Sequence, residues 1–342
     1  MKIQSVYPTK QYGFSTIELM IATFLGLLII AGVVELFISN KNTYRVQDGL
    51  ARMQENARFA KHFLSTEIRM AGFQGCSPLT NTTVNIQVKT PPTDLLFSEE
   101  DVINGYEAVS ASAWSPSLPT HLASNVAAGT DSVVIRKASD LRINIAHDMA
   151  QPTSAIVVAD DRMGIEAGDI LFITDCETTD IFATANQGLS ITHPANLNTS
   201  PSLSKAYQTD AQVMHFESFS FYIKDTGRTN STNLPIRALY YMDINGNEYE
   251  LVEGISDMQI TYGVDSNEDG AVDSFSTANT IESNNQWGQV VSVNIALLVN
   301  SVEEVSPERQ AYTYNGATIS NHTNRLLHRQ LNTYITLRNR SL

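Results

Sequence analysis

A chain of 342 residues, 42% hydrophobic and 17% charged, is long enough for a substantial core and excludes wholesale disorder. Its formal net charge of −14 is unevenly placed: from Arg309 onward there are five arginines and no Asp or Glu, so everything before carries about −19. An acidic body of that kind excludes general nucleic-acid binding, which needs a basic face, and leaves only a small local patch open.

The chain begins with a short leader containing Lys2 and Lys10 that stops at Gly13. Phe14 follows, and then an apolar run to Val34 whose only charge is Glu18. A carboxylate at that depth costs roughly 2.5–3.5 kcal/mol on insertion scales, so it is expected to have a function and a partner. A secretory signal would have no acid there and would end its apolar core at a small-residue cleavage site. An ordinary anchor would gain nothing from Glu18. Beyond the run, Val46, Leu50, Met53, Ala57, Ala60, Leu64, Ile68 and Ala71 recur at steps of three and four, one apolar stripe on a polar helix. No proline interrupts residues 14–71, and Gly72 is a natural stop. The pattern predicts one helix of about 87 Å, far longer than a bilayer requires. Its first half is expected to span a membrane over about residues 17–38, its second half to pack on a head formed by residues 72–342.

After Gly72 the pattern shifts to short strands and turn-rich loops. Residues 77–130 hold few strong runs. Strands are expected at Ser132–Arg136, Ala155–Ala159 and Asp169–Thr174, the last running into Cys176, and residues 187–205 read as an exposed loop. Val213–Lys224 and Ile236–Met242 follow, then a hairpin signal at Asp243–Asn247 leading into Glu248–Val252. Gln289–Val299 alternates, placing Val291, Val293, Ile295, Leu297 and Val299 on one face, and Leu331–Leu337 is the last run. There is no internal repeat and no second membrane span. The fold class expected is α+β, a long N-terminal helix packed on an antiparallel β-rich head.

One ligand-like constellation stands out. Asp265, Asn267 and Asp269 place side-chain oxygens at every second position, Gly270 allows a sharp turn, Ala271 offers a carbonyl, and Asp273 a further carboxylate. This is the first half of an EF-hand loop, with Ser276 where a bidentate Glu belongs, so weak Ca²⁺ binding and a solvated turn are both open. No Gly-x-Ser-x-Gly, phosphate loop or His-Glu-x-x-His is present and the seven histidines are scattered, so no enzyme is expected.

The leader, Gly13, Phe14 and Glu18 together resemble the class III signal of type IV pilins and type II secretion pseudopilins. The resemblance implies that a prepilin peptidase cuts between Gly13 and Phe14 and methylates the new N-terminus, leaving Glu18 as the fifth mature residue. Glu18 of one subunit can then neutralise the Phe14 ammonium of its neighbour, two charges costly in lipid becoming tolerable together. The alternative is a single-pass anchor with an incidental acid near the interface. Many major pilins have a proline about where this chain has Glu35; here Gly26 and Gly32 are the only weak points of the helix.

Further segments are similar to PilW-type minor pilins: Arg69–Cys76, Gly168–Cys176, Glu250–Gly263 and Thr336–Arg340. That resemblance implies a low-copy protein near the pilus tip that primes assembly with other minor pilins and the major pilin. It also implies a large tip adhesin and the inner-membrane assembly platform as partners. The head would be periplasmic before assembly and on the cell surface after it. A J-type pseudopilin and a DNA-uptake pilin are the competing readings, the latter resting on the Arg309–Arg340 segment alone. With the head outside the cytoplasm, Cys76 and Cys176 allow one disulfide, closing a loop of about 100 residues and contributing near 4–5 kcal/mol; two free buried thiols are the alternative. A metal site at these cysteines is not expected, because neither lies in a CxxC pair or beside a histidine.

Overall fold

A computed structural model describes residues 13–75, 83–89 and 102–340. The long helix is present as α1, Thr16–Arg69, 54 residues or about 81 Å. It starts two residues later than the apolar pattern because Ser15 is its N-cap: the Ser15 hydroxyl accepts the Ile17 amide at 3.3 Å. It ends at Met70, just before Gly72 turns the chain with φ +76°.

Seventeen strands follow among the described residues: β1 Thr83–Ile86, β2 Ile103–Ser110, β3 Ala113–Ser115, β4 Ser132–Asn144, β5 Ile156–Val157, β6 Ile170–Thr174, β7 Thr178–Ala183, β8 Ser190–Ile191, β9 Gln212–Thr229, β10 Pro235–Met242, β11 Glu248–Glu253, β12 Ile255–Val264, β13 Ser274–Ser276, β14 Val290–Asn300, β15 Tyr312–Tyr314, β16 Ala317–Ile319 and β17 His328–Thr336. A short helix, α2, covers Ala278–Ser283. One sheet runs β1-β7-β6-β9-β4-β2-β3, and the upper half of the 18-residue β9 also carries the β10–β11 hairpin. Among the described strands only β1 and β7 pair in parallel. The second sheet is β13-β12-β14-β17, antiparallel throughout.

The main core lies where α1 meets both sheets. Ala60, Leu64 and Ile68 of α1 pack with Phe221, Ile223 and Leu239 of the first sheet and with Ile260, Val293, Ile295, Leu297 and Ile335 of the second. Asp131 links the sheets from between them. Its Oδ1 accepts the Ala108 amide of β2 and its Oδ2 the Ile260 amide of β12, each at 2.8 Å. Burial pushes this carboxyl up to about 7 against the pull of those two amides. A second core forms around Ile143, Leu171, Phe182, Tyr207 and Val213, on the far part of the first sheet.

Several sequence readings change in three dimensions. Leu50 is 36% exposed, whereas Gly49 beside it is buried, because the stripe of α1 rotates toward Val305. A Cβ at Gly49 would lie 2.9 Å from Val305 Cγ2, so only glycine admits this approach. Residues 187–205 are not an exposed loop: Ile191, His193, Asn198 and Leu203 are buried, and Asn198 exchanges two 2.8 Å hydrogen bonds with the Ala183 backbone. A segment with so little periodicity is held by side-chain-to-backbone bonds that local pattern does not display. The stretch before residue 130 contributes β1, β2 and β3, and the strand expected at Ala155–Ala159 shrinks to two residues. Both faces of β14 are largely buried, one on the core and the other, at Ala296 and Leu298, beneath the β15–β16 hairpin.

Candidate functional site

The N-terminal end of α1 and the junction of α1 with the head hold the candidate functional residues. Phe14 is 89% exposed, and a Cβ added at Gly13 would meet nothing within 4 Å. Ser15 and Glu18 form a reciprocal capping box: besides the serine bond, Glu18 Oε2 accepts the Ser15 amide at 2.9 Å. That bond corrects the expectation that an ordinary anchor would gain nothing from Glu18. The acid closes the first turn of its own helix, where an N-terminal carboxylate is also favoured by the helix dipole. The signal for it was in the sequence, as a serine three residues before a glutamate.

From Ile17 to Ile38 the large apolar side chains stand exposed, each by half or more. Among the described residues this is the one helix long and apolar enough to cross a membrane, and none of its most apolar window is buried. Its length and composition suit a membrane anchor. Gly26 and Gly32 lie in unbroken helix, and a Cβ at either would meet nothing.

The head grips the second half of α1 at successive levels. Arg45, seven residues or about 10 Å past Ile38, donates to the Glu304 carbonyl at 3.3 Å. Val305 fills the notch at Gly49, and Asn56 donates to the Glu253 carbonyl at 3.0 Å. Higher up, Lys137 of β4 reaches between Glu67 of α1 at 3.1 Å and Glu217 of β9 at 3.2 Å. Burial works against the Lys137 ammonium, yet Glu217 and Glu67 outweigh it and hold its pKa above the ordinary value. Burial likewise raises the Glu217 carboxyl, and Lys137 offsets this only in part. At the top, the Arg338 amide donates to the Arg69 carbonyl at 3.0 Å, and Asn339 donates to the carbonyls of Met70 and Ala71. The end of the chain therefore supplies the partners that the last carbonyls of α1 lack.

The remaining sequence candidates lie elsewhere. Cys176 follows β6 in a left-handed conformation, φ +77°, and Cys76 lies outside the described residues. In the Asp265–Asp273 loop the carboxylates take nearby amides. Asp265 accepts those of Asp269 and Gly270, Asp269 that of Ala271, and Asp273 both the amide and hydroxyl of Ser266. Asn267 donates to Asp269 Oδ2. Among the described residues no three His, Cys, Asp or Glu side chains gather as a metal site. The C-terminal arginines are partly consumed by the fold: Arg325 pairs with Glu304 at 3.3 Å, and Arg340 donates to the Trp287 carbonyl.

The second sheet, the β10–β11 hairpin and the residues that close on Arg69 and Met70 lie in one stretch of the chain, from the middle of β9 to Asn339. A family model described as Type IV Pilus-assembly protein W matches residues 220–339. The match supports a type IV pilus-related protein. It covers about a third of the chain, from the middle of β9 to the asparagine that caps α1. No curated protein matches the chain.

Proposed function

We propose that this protein is a minor pilin, cleaved between Gly13 and Phe14, that incorporates at or near the tip of a type IV pilus and helps prime its assembly. Its partners in that role are other minor pilins, the major pilin, a large tip adhesin, the prepilin peptidase and the inner-membrane assembly platform. The observation that carries the reading is a single unbroken helix with two unlike halves. One half exposes every large apolar side chain from Ile17 to Ile38, and the other is fastened to the head from Arg45 to Met70. An element of that kind can leave a bilayer and enter a bundle of like helices without changing its own fold, because the head clamps only the polar half. Removal of the leader places an ammonium on Phe14, one turn from Glu18. Glu18 can then exchange its bond with the Ser15 amide for a neighbour's ammonium, a stronger charge-assisted contact in a medium of low dielectric. The role is architectural and not catalytic, and the head faces the periplasm before assembly and the cell surface after it.

The test is deletion of the gene followed by complementation. Pili should be lost or scarce, restored by the natural chain and not by Gly13→Val, and the protein should co-purify with sheared pili at far lower abundance than the major subunit. Normal piliation accompanied by a loss of type II secretion would transfer the chain to the J-type pseudopilins.

A further inference from the structure

The outer face of the second sheet is divided into two unlike halves. Strand β14 turns Ser292, Asn294, Ala296 and Leu298 outward, and the β15–β16 hairpin covers the last two through Tyr312, Tyr314 and Ile319. The other half lies outside that hairpin and is met by Val272, whose Cγ1 would sit 2.9 Å from a Cβ at Gly263. Pairing places Phe275 of β13 beside Gly263, Gly263 beside Ser292, and Ser292 beside Thr336, with Thr261, Asn294 and Tyr334 in the next row. Phe275 is 46% and Tyr334 67% exposed. Although two strands separate β13 from β17, the rings meet edge to face with centroids 6.0 Å apart. Both side chains therefore lie along the sheet and not away from it.

Beneath them the floor is unusual. A Cβ at Gly263 would fall 2.2 Å from Ser292 Oγ and 2.9 Å from Val272 Cγ1, so the glycine is there to leave room for that hydroxyl. Ser292 is only 6% exposed, and its Oγ has no hydrogen-bond partner among the described residues. Asn294 Oδ1 is buried and unpartnered in the same way, while its Nδ2 donates to Thr261 Oγ1 at 3.2 Å. Burying a hydroxyl and an amide oxygen without partners is unfavourable, and native folds rarely keep such atoms without a use for them. The side chains of this half-face, Thr261, Phe275, Ser292, Asn294, Tyr334 and Thr336, are all uncharged, on a chain whose net charge is −14.

We propose that this half-face binds a neutral carbohydrate. The rings of Phe275 and Tyr334 offer apolar faces to the C–H surfaces of a sugar. When the rings part, Ser292 Oγ and Asn294 Oδ1 accept hydroxyl protons from it, with Thr336 and Asn332 at the rim. The chemistry selects this class. A phosphate, a nucleic acid or an acidic peptide would find no cation to pair with here. An added β-strand requires a free sheet edge, and the unpartnered atoms lie in the middle of a face. The site stands on the geometry of the head and does not depend on the pilus reading.

The test uses the full chain in a phosphocholine detergent, whose headgroup contains no sugar. Cellohexaose, chitohexaose, maltohexaose and linear galactan fragments are titrated by calorimetry, with sedimentation run in parallel. Saturable binding of at least one is expected below about 10 mM, weakened about tenfold or more by Tyr334→Ala and by Phe275→Ala and retained by Tyr334→Phe. Ser292→Ala should weaken binding severalfold without lowering the melting temperature, since it removes a hydroxyl that has no partner in the free protein. Absence of saturable binding for every sugar, or binding indifferent to both aromatic truncations, overturns the proposal. So does self-association abolished by Tyr334→Ala, which would assign the face to a second copy of the chain.

Discussion

Replacing Lys137 by methionine tests how the head holds its helix. The ammonium lies between Glu67 of α1 and Glu217 of β9 at 3.1 and 3.2 Å, its side chain 6% exposed and theirs 20% and 30%. At an effective dielectric constant near 20 each contact is worth about 5 kcal/mol of gross attraction, most of it cancelled by desolvation and by repulsion between the two carboxylates. Removing one partner of a fully buried pair costs about 3–5 kcal/mol; with both acids reached by water, a loss of about 2–4 kcal/mol is expected, and a fall in melting temperature of about 5–10 °C. The pH dependence carries a definite sign. Burial already raises Glu217 above its reference value of 4.5. The folded state therefore keeps a proton that the unfolded chain releases, and stability is lost as pH rises through the folded pKa. Without Lys137 that pKa rises further, so the variant's deficit relative to the natural protein should shrink as pH falls from about 7.5 to about 5. Urea melts of both proteins at several pH values measure this, and Glu217→Gln in the Lys137→Met background should recover part of the loss. A deficit under about 0.5 kcal/mol, or one that does not change with pH, would show that packing and not charge holds the helix at this level.

Three further outcomes are expected. Gly13→Val should leave the leader attached, whereas Glu18→Val should be cleaved yet enter pili poorly. Removing only the Ser15 hydroxyl that accepts the Ile17 amide, by Ser15→Ala, should cost about 1 kcal/mol of helix stability and spare incorporation; N-terminal sequencing of mature protein should begin at Phe14. Cys76 and Cys176 should be bonded, with intact mass after alkylation unchanged unless reductant is added first; two thiols modified without reduction rule this out. For the Asp265–Asp273 loop, Ca²⁺ binding predicts a higher melting temperature with millimolar calcium than with magnesium or chelator, lost in Asp265→Ala/Asp269→Ala. Equal melts leave a turn held by the amide bonds of Asp265, Asp269 and Asp273 alone.

Elements whose information is local were legible in the amino-acid pattern. The apolar run from Ile17, the 3–4 stripe ending at Ala71 and the stop at Gly72 placed α1 within two residues, because helical periodicity is written in neighbours three and four apart. The alternation of Val293, Ile295, Leu297 and Val299 and the turn at Asp243–Asn247 marked β14 and the β10–β11 hairpin for the same reason. Features that depend on distant partners emerge only in three dimensions. Gly49 is buried because Val305 arrives from the far end of the chain, and Ile191 and Leu203 are buried because an aperiodic segment is bonded onto β7. Lys137 is a clamp only once α1 and β9 stand on either side of it. The unpartnered oxygens of Ser292 and Asn294 share one face with the rings of Phe275 and Tyr334 only because β13, β12, β14 and β17 are paired in that order. Contacts of that kind are set by the folding of whole sheets, and no window of sequence contains both partners.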